Sequence, residues 1–283
     1  MIHRQAHVTL VNGMETSAIE LNDRGLNYGD GLFETMRVSG GRIPLIDYHL
    51  ARFALGVERL HLGSVKKLSQ QFKAGIKQAL SSTQGEAIIK VIVTRGHGGR
   101  GYVPPSKAQV SQIIQVFDYP EWPASYAKKG IDVKRCEHRL SVQPVLAGIK
   151  HLNRLDQVLA AGELGKFVEG LMRDYEGRYI EGTKSNLLVF RKEGIVTPKI
   201  ERSGVRGTML AFLVETQAQH GVQIVEDEVT ESLLEQSSGL SMVNSIFGLW
   251  PVKSLDKEPL ALDGRVRHLA AHLNQRLGFN LPV

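Results

Sequence analysis

The chain has 283 residues, of which 42% are hydrophobic and 23% charged, a balance that fits a folded protein of roughly two domains at ~100–200 residues each. Such a composition excludes a disordered chain, a fibrous repeat and a small disulfide scaffold. No apolar run approaches the ~20 residues that cross a bilayer, so no membrane role is expected. Lys and Arg outnumber Asp and Glu by 35 to 29, and the net charge of +6 admits an anionic partner. The basic residues are scattered and aromatics are only 6%, so a nucleic-acid partner is not expected and a small carboxylated or phosphorylated molecule is. Met1-Ile2-His3-Arg4-Gln5 lacks an apolar signal core, and Cys136 is the only cysteine. Both features fit a reducing cytoplasm.

In chain order, Val8 to Asn12 and Ser17 to Asn22 read as two short strands turning at Asn12-Gly13. Phe33 to Val38 alternates its faces and turns at Gly40-Gly41. Asp47 is the expected N-cap of a helix whose apolar stripe is Leu50, Phe53, Ala54, Val57 and Leu60. A second helix is predicted over Ser64 to Leu80, then buried strands over Ala87 to Thr94 and Gln112 to Phe117. Pro120 and Pro123 mark a linker. Beyond it, Ile131 to Arg135 reads as a strand, Leu152 to Leu164 as a helix and Gly170 to Arg173 as a strand turning at Asp174 to Gly177. Asn186 to Arg191 and Ile195 to Thr197 form a hairpin, and Thr208 to His220 is a helix stopped by Gly221. Gln223 to Val229, Thr230 to Gln236, Leu240 to Phe247 and Val266 to Leu277 read as strand, helix, strand and helix. Without a regular βαβ alternation the fold class is α+β in two domains: 1–118, a linker at 119–125, and 126–283.

Several residues bear chemistry. His268 and His272 stand four apart on a helix, but nothing accompanies them at ligand spacing, so no metal site is expected. The run from Arg95 to Tyr102 lacks dinucleotide and Walker spacing; it reads either as a surface loop or as a loop bringing Arg100 and Tyr102 to a carboxylate. Lys150 follows Leu146-Ala147-Gly148-Ile149, and apolar surroundings disfavour its charged form and free the amine as nucleophile or base. An ordinary exposed lysine is the other reading. Glu181, in Ile180-Glu181-Gly182-Thr183-Lys184-Ser185-Asn186, is either a site carboxylate or a solvated hairpin residue.

Asp23-Arg24-Gly25-Leu26-Asn27-Tyr28-Gly29-Asp30-Gly31-Leu32-Phe33-Glu34-Thr35 resembles the N-terminal signature of the class IV aminotransferases, the fold-type IV pyridoxal-phosphate enzymes that include D-amino acid aminotransferase. Gly148-Ile149-Lys150-His151-Leu152-Asn153-Arg154-Leu155 resembles the segment carrying their cofactor lysine, and Glu181 to Leu187 their ring-nitrogen segment. Within the family, Thr94 to Tyr102 and Gly148 to Leu155 look most like its aminodeoxychorismate lyase branch. The resemblance implies a homodimer, pyridoxal 5'-phosphate as cofactor, and a lyase of 4-amino-4-deoxychorismate giving 4-aminobenzoate and pyruvate. A D-amino acid or branched-chain aminotransferase of the same fold is the alternative. By the same resemblance Lys150 holds the cofactor aldehyde and shuttles a proton, and Glu181 pairs with the ring nitrogen within a segment that includes Ser185 and Asn186. Arg52, the amides of Val205 and Arg206, and Ser245 meet the phosphate. Arg100 and Tyr102 take substrate carboxylates, while Thr35 and Tyr119 line the pocket. Two positions depart from the aminotransferase pattern: Arg206 stands where Thr is usual, and Leu155 where branched-chain enzymes carry Tyr.

Overall fold

A computed structural model describes residues 6–83, 85–98 and 101–282. The chain forms two compact units. One runs to Pro120 and adds Ile149–Asn153; the other comprises Glu121–Gly148 and the residues from Arg154 onward.

The first unit contains β1 (Val8–Val11), β2 (Met14–Glu15), α1 (Arg24–Tyr28), β3 (Gly31–Val38), α2 (Ile46–Arg59), α3 (Val65–Ser81), β4 (Ala87–His97) and β5 (Gln109–Asp118). Among the described residues these strands make one antiparallel sheet in the order β2-β1-β5-β4-β3. Asn12 and Gly13, both at positive φ, form the tight turn between β1 and β2. The strand expected over Ser17–Asn22 does not form: β2 ends at Glu15, and the polar stretch leads into α1, where Asp23 Oδ1 accepts the Gly25 amide at 2.8 Å. Helix α2 starts after Leu45, so Asp47 is a first-turn acid rather than the cap, favoured there by the helix dipole. Ser64 caps α3, its side chain accepting from the Lys67 amide, at the start of the helix expected over Ser64 to Leu80.

Alternation along β3 sorts its side chains between two faces. Leu32, Glu34, Met36 and Val38 face the two long helices, whose glycines permit close approach: a Cβ on Gly56 would lie 2.7 Å from Leu32, and one on Gly75 2.3 Å from Ile114. Met36, Val38, Ile89 and Val91 are fully buried there. Phe33, Thr35 and Arg37 occupy the other face, level with Ile92, Lys90 and Ile88 of β4.

The second unit contains α4 (Ser125–Lys129), β6 (Ile131–Leu140), α5 (Leu155–Gly162), β7 (Glu169–Asp174), β8 (Tyr179–Gly182), β9 (Asn186–Arg191), β10 (Gly194–Pro198), α6 (Thr208–Glu215), α7 (Gln217–His220), β11 (Ile224–Asp227), α8 (Glu231–Glu235), β12 (Gly239–Asn244), β13 (Gly248–Leu255), β14 (Glu258–Pro259) and α9 (Arg265–Leu277). Its described strands run β11-β10-β9-β12-β13-β6-β7-β8, with β14 paired to β13. Ile131, Val133, Leu171, Leu187, Val189, Met242 and Trp250 belong to one core cluster. Cys136, Leu140, Ala160, Met172 and Ile180 make a second. Trp122 and Tyr126 stand edge-on to Trp250, with ring centroids 5.3 and 5.2 Å away.

Three elements differ from expectation. The helix read over Leu152–Leu164 begins only at Leu155, because the residues before it pair with β3. Strand β8 is four residues long and carries Glu181 and Gly182, too short and polar for an apolar pattern to mark. Strand β13 contains Pro251, a residue that lacks a ladder donor, yet it runs between β12 and β6 with an irregularity after Val252. Among the described residues no helix is long and apolar enough to cross a membrane, and no group of three or more His, Cys, Asp or Glu is arranged to hold a metal.

Gly31 is where β3 meets both β4 and the Lys150 segment: a Cβ would sit 2.4 Å from the Val93 carbonyl and 2.9 Å from Leu152 Cδ1. Gly31→Ala is expected to destabilise the protein by about 1–3 kcal/mol through overpacking, read as a lowered Tm. Gly162→Ala, with open space around the added methyl, is the control and should stay within about 0.5 kcal/mol of the parent.

Candidate active site

In the first unit, Lys150 is held by main-chain pairing. Phe33 N–H donates to the Lys150 carbonyl at 2.9 Å, Leu152 N–H donates to the Gly31 carbonyl at 3.0 Å, and Leu32 bridges His151. The half-buried Lys150 side chain places Nζ 4.5 Å from the centre of the Phe33 ring. Gly29 caps α1 in the left-handed conformation, and a Cβ there would come 2.4 Å from Asn153 Oδ1. The two sequence signatures, one around Gly31 and one around Lys150, are thus one packed structure.

The same signature carries a buried ion cluster. Glu34 is 1% exposed. Arg52 donates to it from Nε at 2.8 Å and from Nη2 at 2.5 Å, and His49 Nδ1 lies 2.6 Å from Oε2. Burial opposes the carboxylate's charge, but the Arg52 guanidinium and the hydrogen bonds from Arg52 and His49 outweigh it and hold Glu34 down to about 2. Burial also lowers the pKa of His49, with Arg52 and Lys150 adding repulsion against the pull of Glu34. A second cluster ties the signature to β4: Asp30 accepts from Arg24 Nε at 3.0 Å and from Arg95 Nε and Nη2 at 2.7 and 2.9 Å.

Thr35 lies on the other face of β3 from Glu34, opposite Lys90. Tyr119 packs under Arg37, whose guanidinium carbon is 4.7 Å from the ring centre, and burial pushes its phenol pKa up. Tyr102 is 86% exposed; its carbonyl accepts from Arg24 Nη2 at 2.9 Å, and its ring stands 5.6 Å from that of Tyr28. Arg100 lies outside the described residues.

In the second unit, Glu181 on β8 is 4% exposed and receives Gln157 Nε2 at 3.0 Å and the Val205 amide at 2.7 Å. Asn186 pins the following turn, donating to the Val205 carbonyl at 2.9 Å and accepting the Gly207 amide at 3.0 Å. The turn needs its glycines: a Cβ on Gly204 would lie 3.3 Å from the Glu181 carboxyl, and one on Gly207 2.0 Å from Asn186 Oδ1. The Arg206 amide donates to the Gly148 carbonyl at 3.2 Å, and its guanidinium turns to Glu226, with Nε 2.9 Å from Oε1. The amides of Val205 and Arg206, expected to face a phosphate, therefore both have partners inside the protein. Ser185 Oγ donates to the fully buried Glu169 at 2.8 Å. Ser245 lies in the turn between β12 and β13, where Asn244 Oδ1 accepts the Ile246 and Phe247 amides.

Sequence reasoning missed Glu34, His49, Gln157 and Glu169. Glu34 stood inside the recognised signature, whereas Gln157 and Glu169 lie at spacings no motif marks.

The class IV aminotransferase family model matches residues 31–255. The chain is 30% identical to an aminodeoxychorismate lyase of Vibrio harveyi, over 94% of this chain and 98% of that protein. A solved 4-amino-4-deoxychorismate lyase from Pseudomonas aeruginosa is 38% identical with a TM-score of 0.89, covering 96% of this chain and all of the other. An Escherichia coli branched-chain amino acid aminotransferase shares the fold at 18% identity and a TM-score of 0.83, over 96% and 95% of the two chains. With the Lys150 and Glu181 segments placed as described, this chain belongs to the class IV aminotransferase family of pyridoxal-phosphate enzymes.

Proposed function

We propose that the protein is a pyridoxal-phosphate-dependent carbon–oxygen lyase converting 4-amino-4-deoxychorismate to 4-aminobenzoate and pyruvate. The observation that carries this reading is likeness over essentially the full chain to two lyases at 30% and 38% identity, against 18% for the branched-chain aminotransferase of the same fold.

The residues present suit the cofactor. Glu181 is a buried carboxylate with two donors on it, and among the described residues the Oε1 of Gln157, whose Nε2 is one of those donors, is buried without a hydrogen-bond partner. Unsatisfied buried polar atoms of this kind mark a place where a polar group belongs. Lys150 would hold the cofactor's aldehyde, Glu181 would keep its ring nitrogen protonated, and Arg52 with the Ser245 hydroxyl would take its phosphate. Ser185 and Asn186 act by fixing the strand and turn that present Glu181. When bound, the cofactor supplies an electron sink for the carbon bearing the substrate's amine.

This chain's own residues do the rest. Lys150 Nζ takes the proton from that carbon, and the ring carbon–oxygen bond to the enolpyruvyl group breaks as the ring becomes aromatic. The proton lost by the ring equals the one gained as enolpyruvate becomes pyruvate, so no amino acceptor and no oxidant is consumed. Glu34 and His49 position Arg52 from below, a fork fixed before any ligand arrives. The homodimer expected of the family is supported by the exposed apolar residues Leu155, Val158 and Leu159 on α5. Burial pushes the Cys136 thiol up to about 12, which leaves it inert and suits the cytoplasm we propose as its compartment.

Freshly made aminodeoxychorismate, supplied without any 2-oxo acid, is expected to yield 4-aminobenzoate fluorescence at a catalytic rate. Silence from a yellow, cofactor-loaded protein would replace the lyase reading with transamination. Lys150→Ala should lose both that activity and the visible absorption band of the lysine-bound cofactor.

Glu34 predicts an acid dependence with a defined sign. Its pKa falls from 4.5 to about 2 on folding, so its contribution is complete above pH ~4.5 and is lost as pH drops toward 2, about 3 kcal/mol in all. Denaturant titrations of wild type should fall across that window. Glu34→Gln should start about 3–5 kcal/mol lower at pH 7, because Arg52 is left buried without its partner, and should fall less steeply.

A further inference from the structure

Alternation along β6 and β7 turns Cys136, Leu140 and Met172 toward the smaller core cluster of the second unit, and Arg139 and Arg173 to the opposite face, that of Val133 and Leu171. Arg139 is the register partner of Arg173 across the two strands, and Arg173 in turn is the partner of Tyr179 on β8. Two arginines thus stand side by side on adjacent strands. Both are half-buried, and Arg139 Nη1 and Arg173 Nε are buried with no hydrogen-bond partner among the described residues. Neither guanidinium forms an ion pair there. Neighbouring arginines of this unit differ: Arg135 holds Glu231 and Asp256, and Arg178 holds Asp174. Glu231, the acid whose charge reaches Arg173, is already committed. Its Oε1 accepts from Arg135 Nη2 at 2.5 Å and its Oε2 from the Tyr179 hydroxyl at 2.5 Å. The Tyr179 ring, with its centre 5.5 Å from the Arg173 guanidinium carbon, supports that cation but leaves its N–H donors open. Two adjacent like charges, partly desolvated and without a counter-charge, cost the fold free energy that an anion between them would recover.

We propose that Arg139 and Arg173 form a binding site for a phosphate dianion, either inorganic phosphate or a phosphate monoester. Two guanidinium groups supply two positive charges and two forks of N–H donors, a geometry that suits phosphate oxygens. A monocarboxylate would neutralise only one of the two charges. The site lies wholly within the second unit. Glu181 is in register with Met172, which faces the other way, so the anion bound here is not the group that Glu181 serves. The proposal stands whether or not the lyase reading does. Filling the site ties β6 to β7 on the face turned away from Glu181.

The test uses the cofactor-loaded enzyme, so that the cofactor's own phosphate site is filled, with inorganic phosphate as the probe and chloride holding the ionic strength constant. Phosphate at about ten times the Kd found by titration calorimetry should raise Tm by about 2–3 °C, and acetate at the same concentration should leave it unchanged. Arg139→Gln and Arg173→Gln should each weaken phosphate binding about tenfold, and the double substitution should abolish the shift. In phosphate-free buffer both single variants should hold Tm within about 1 °C of wild type or raise it, because the repulsion between the guanidinium groups is relieved. A merely structural pair predicts the reverse, a lowered phosphate-free Tm with the phosphate response intact, and that result would overturn the assignment. So would acetate stabilising as well as phosphate, or a wild type that ignores phosphate while the double variant changes oligomeric state, which would give the pair to a carboxylate on a second copy of the chain. Competition with glycerol phosphate separates the two sources: displacement of inorganic phosphate by a tighter-binding monoester names the monoester, and weaker binding names inorganic phosphate. If the Gln variants are unstable, Arg173→Lys keeps the charge, loses the fork and should weaken phosphate severalfold in the same titration.

Discussion

Residues Lys150 to Asn153 add to the edge of a sheet whose other strands were complete by Asp118, and the chemistry of this chain depends on that addition. Phe33 N–H and the Gly31 carbonyl fix the main chain, while Gly29 and Gly31 lack the Cβ atoms that would collide with Asn153 and Leu152. A lysine on a free loop has rotamer and backbone freedom to lose before it can react. Here the backbone term is settled by folding, so the amine begins near its working position. The glycines are required for contact across the chain, and only Gly29 is also required for its left-handed backbone.

Around that addition, charge is used in two ways. Where the fold needs rigidity, carboxylates are held by several donors: half-buried Asp30 between Arg24 and Arg95, buried Glu34 between Arg52 and His49, and buried Glu169 among the Gly170 and Thr183 amides and the Thr183 and Ser185 hydroxyls. Removing the carboxylate from either of the first two clusters takes away the counter-charge of the guanidinium groups around it. Where ligands are expected, the pattern is reversed. Among the described residues Lys90 has no carboxylate partner, and Gln157 Oε1, on a side chain that donates to Glu181, has no hydrogen-bond partner. The unsatisfied groups adjoin residues that the family resemblance assigns to chemistry, as expected when a site trades stability for binding.

Much was legible in the chain. The apolar periods located α3, α9, β4 and β5, because an amphipathic stripe and a β-branched run reflect only which side of an element is buried. The signatures at Asp23–Thr35 and Gly148–Leu155 led to the family and to Lys150, since tight packing and special chemistry restrict residue type at fixed spacing. The early start expected for the Leu152 helix differs from the structure for a physical reason. Local pattern fixes a preference, and tertiary hydrogen bonding overrides it: Lys150 and Leu152 pair with β3 instead of winding into α5.

The sequence by itself determined the α+β class from its patterning, and through the resemblance of its signatures it pointed to the family, the cofactor and Lys150 and Glu181 as candidates, because all of these are carried along one chain. Only the tertiary structure decided that Glu34 and His49 stand behind Arg52, that the Val205 amide belongs to Glu181, that Arg206 turns to Glu226, and that Lys90 and Lys150 both approach the Phe33 ring. Those facts concern partners separated by up to dozens of residues. Hydrogen bonds and desolvation act over a few ångströms in space, and sequence distance carries no record of which groups will come that close.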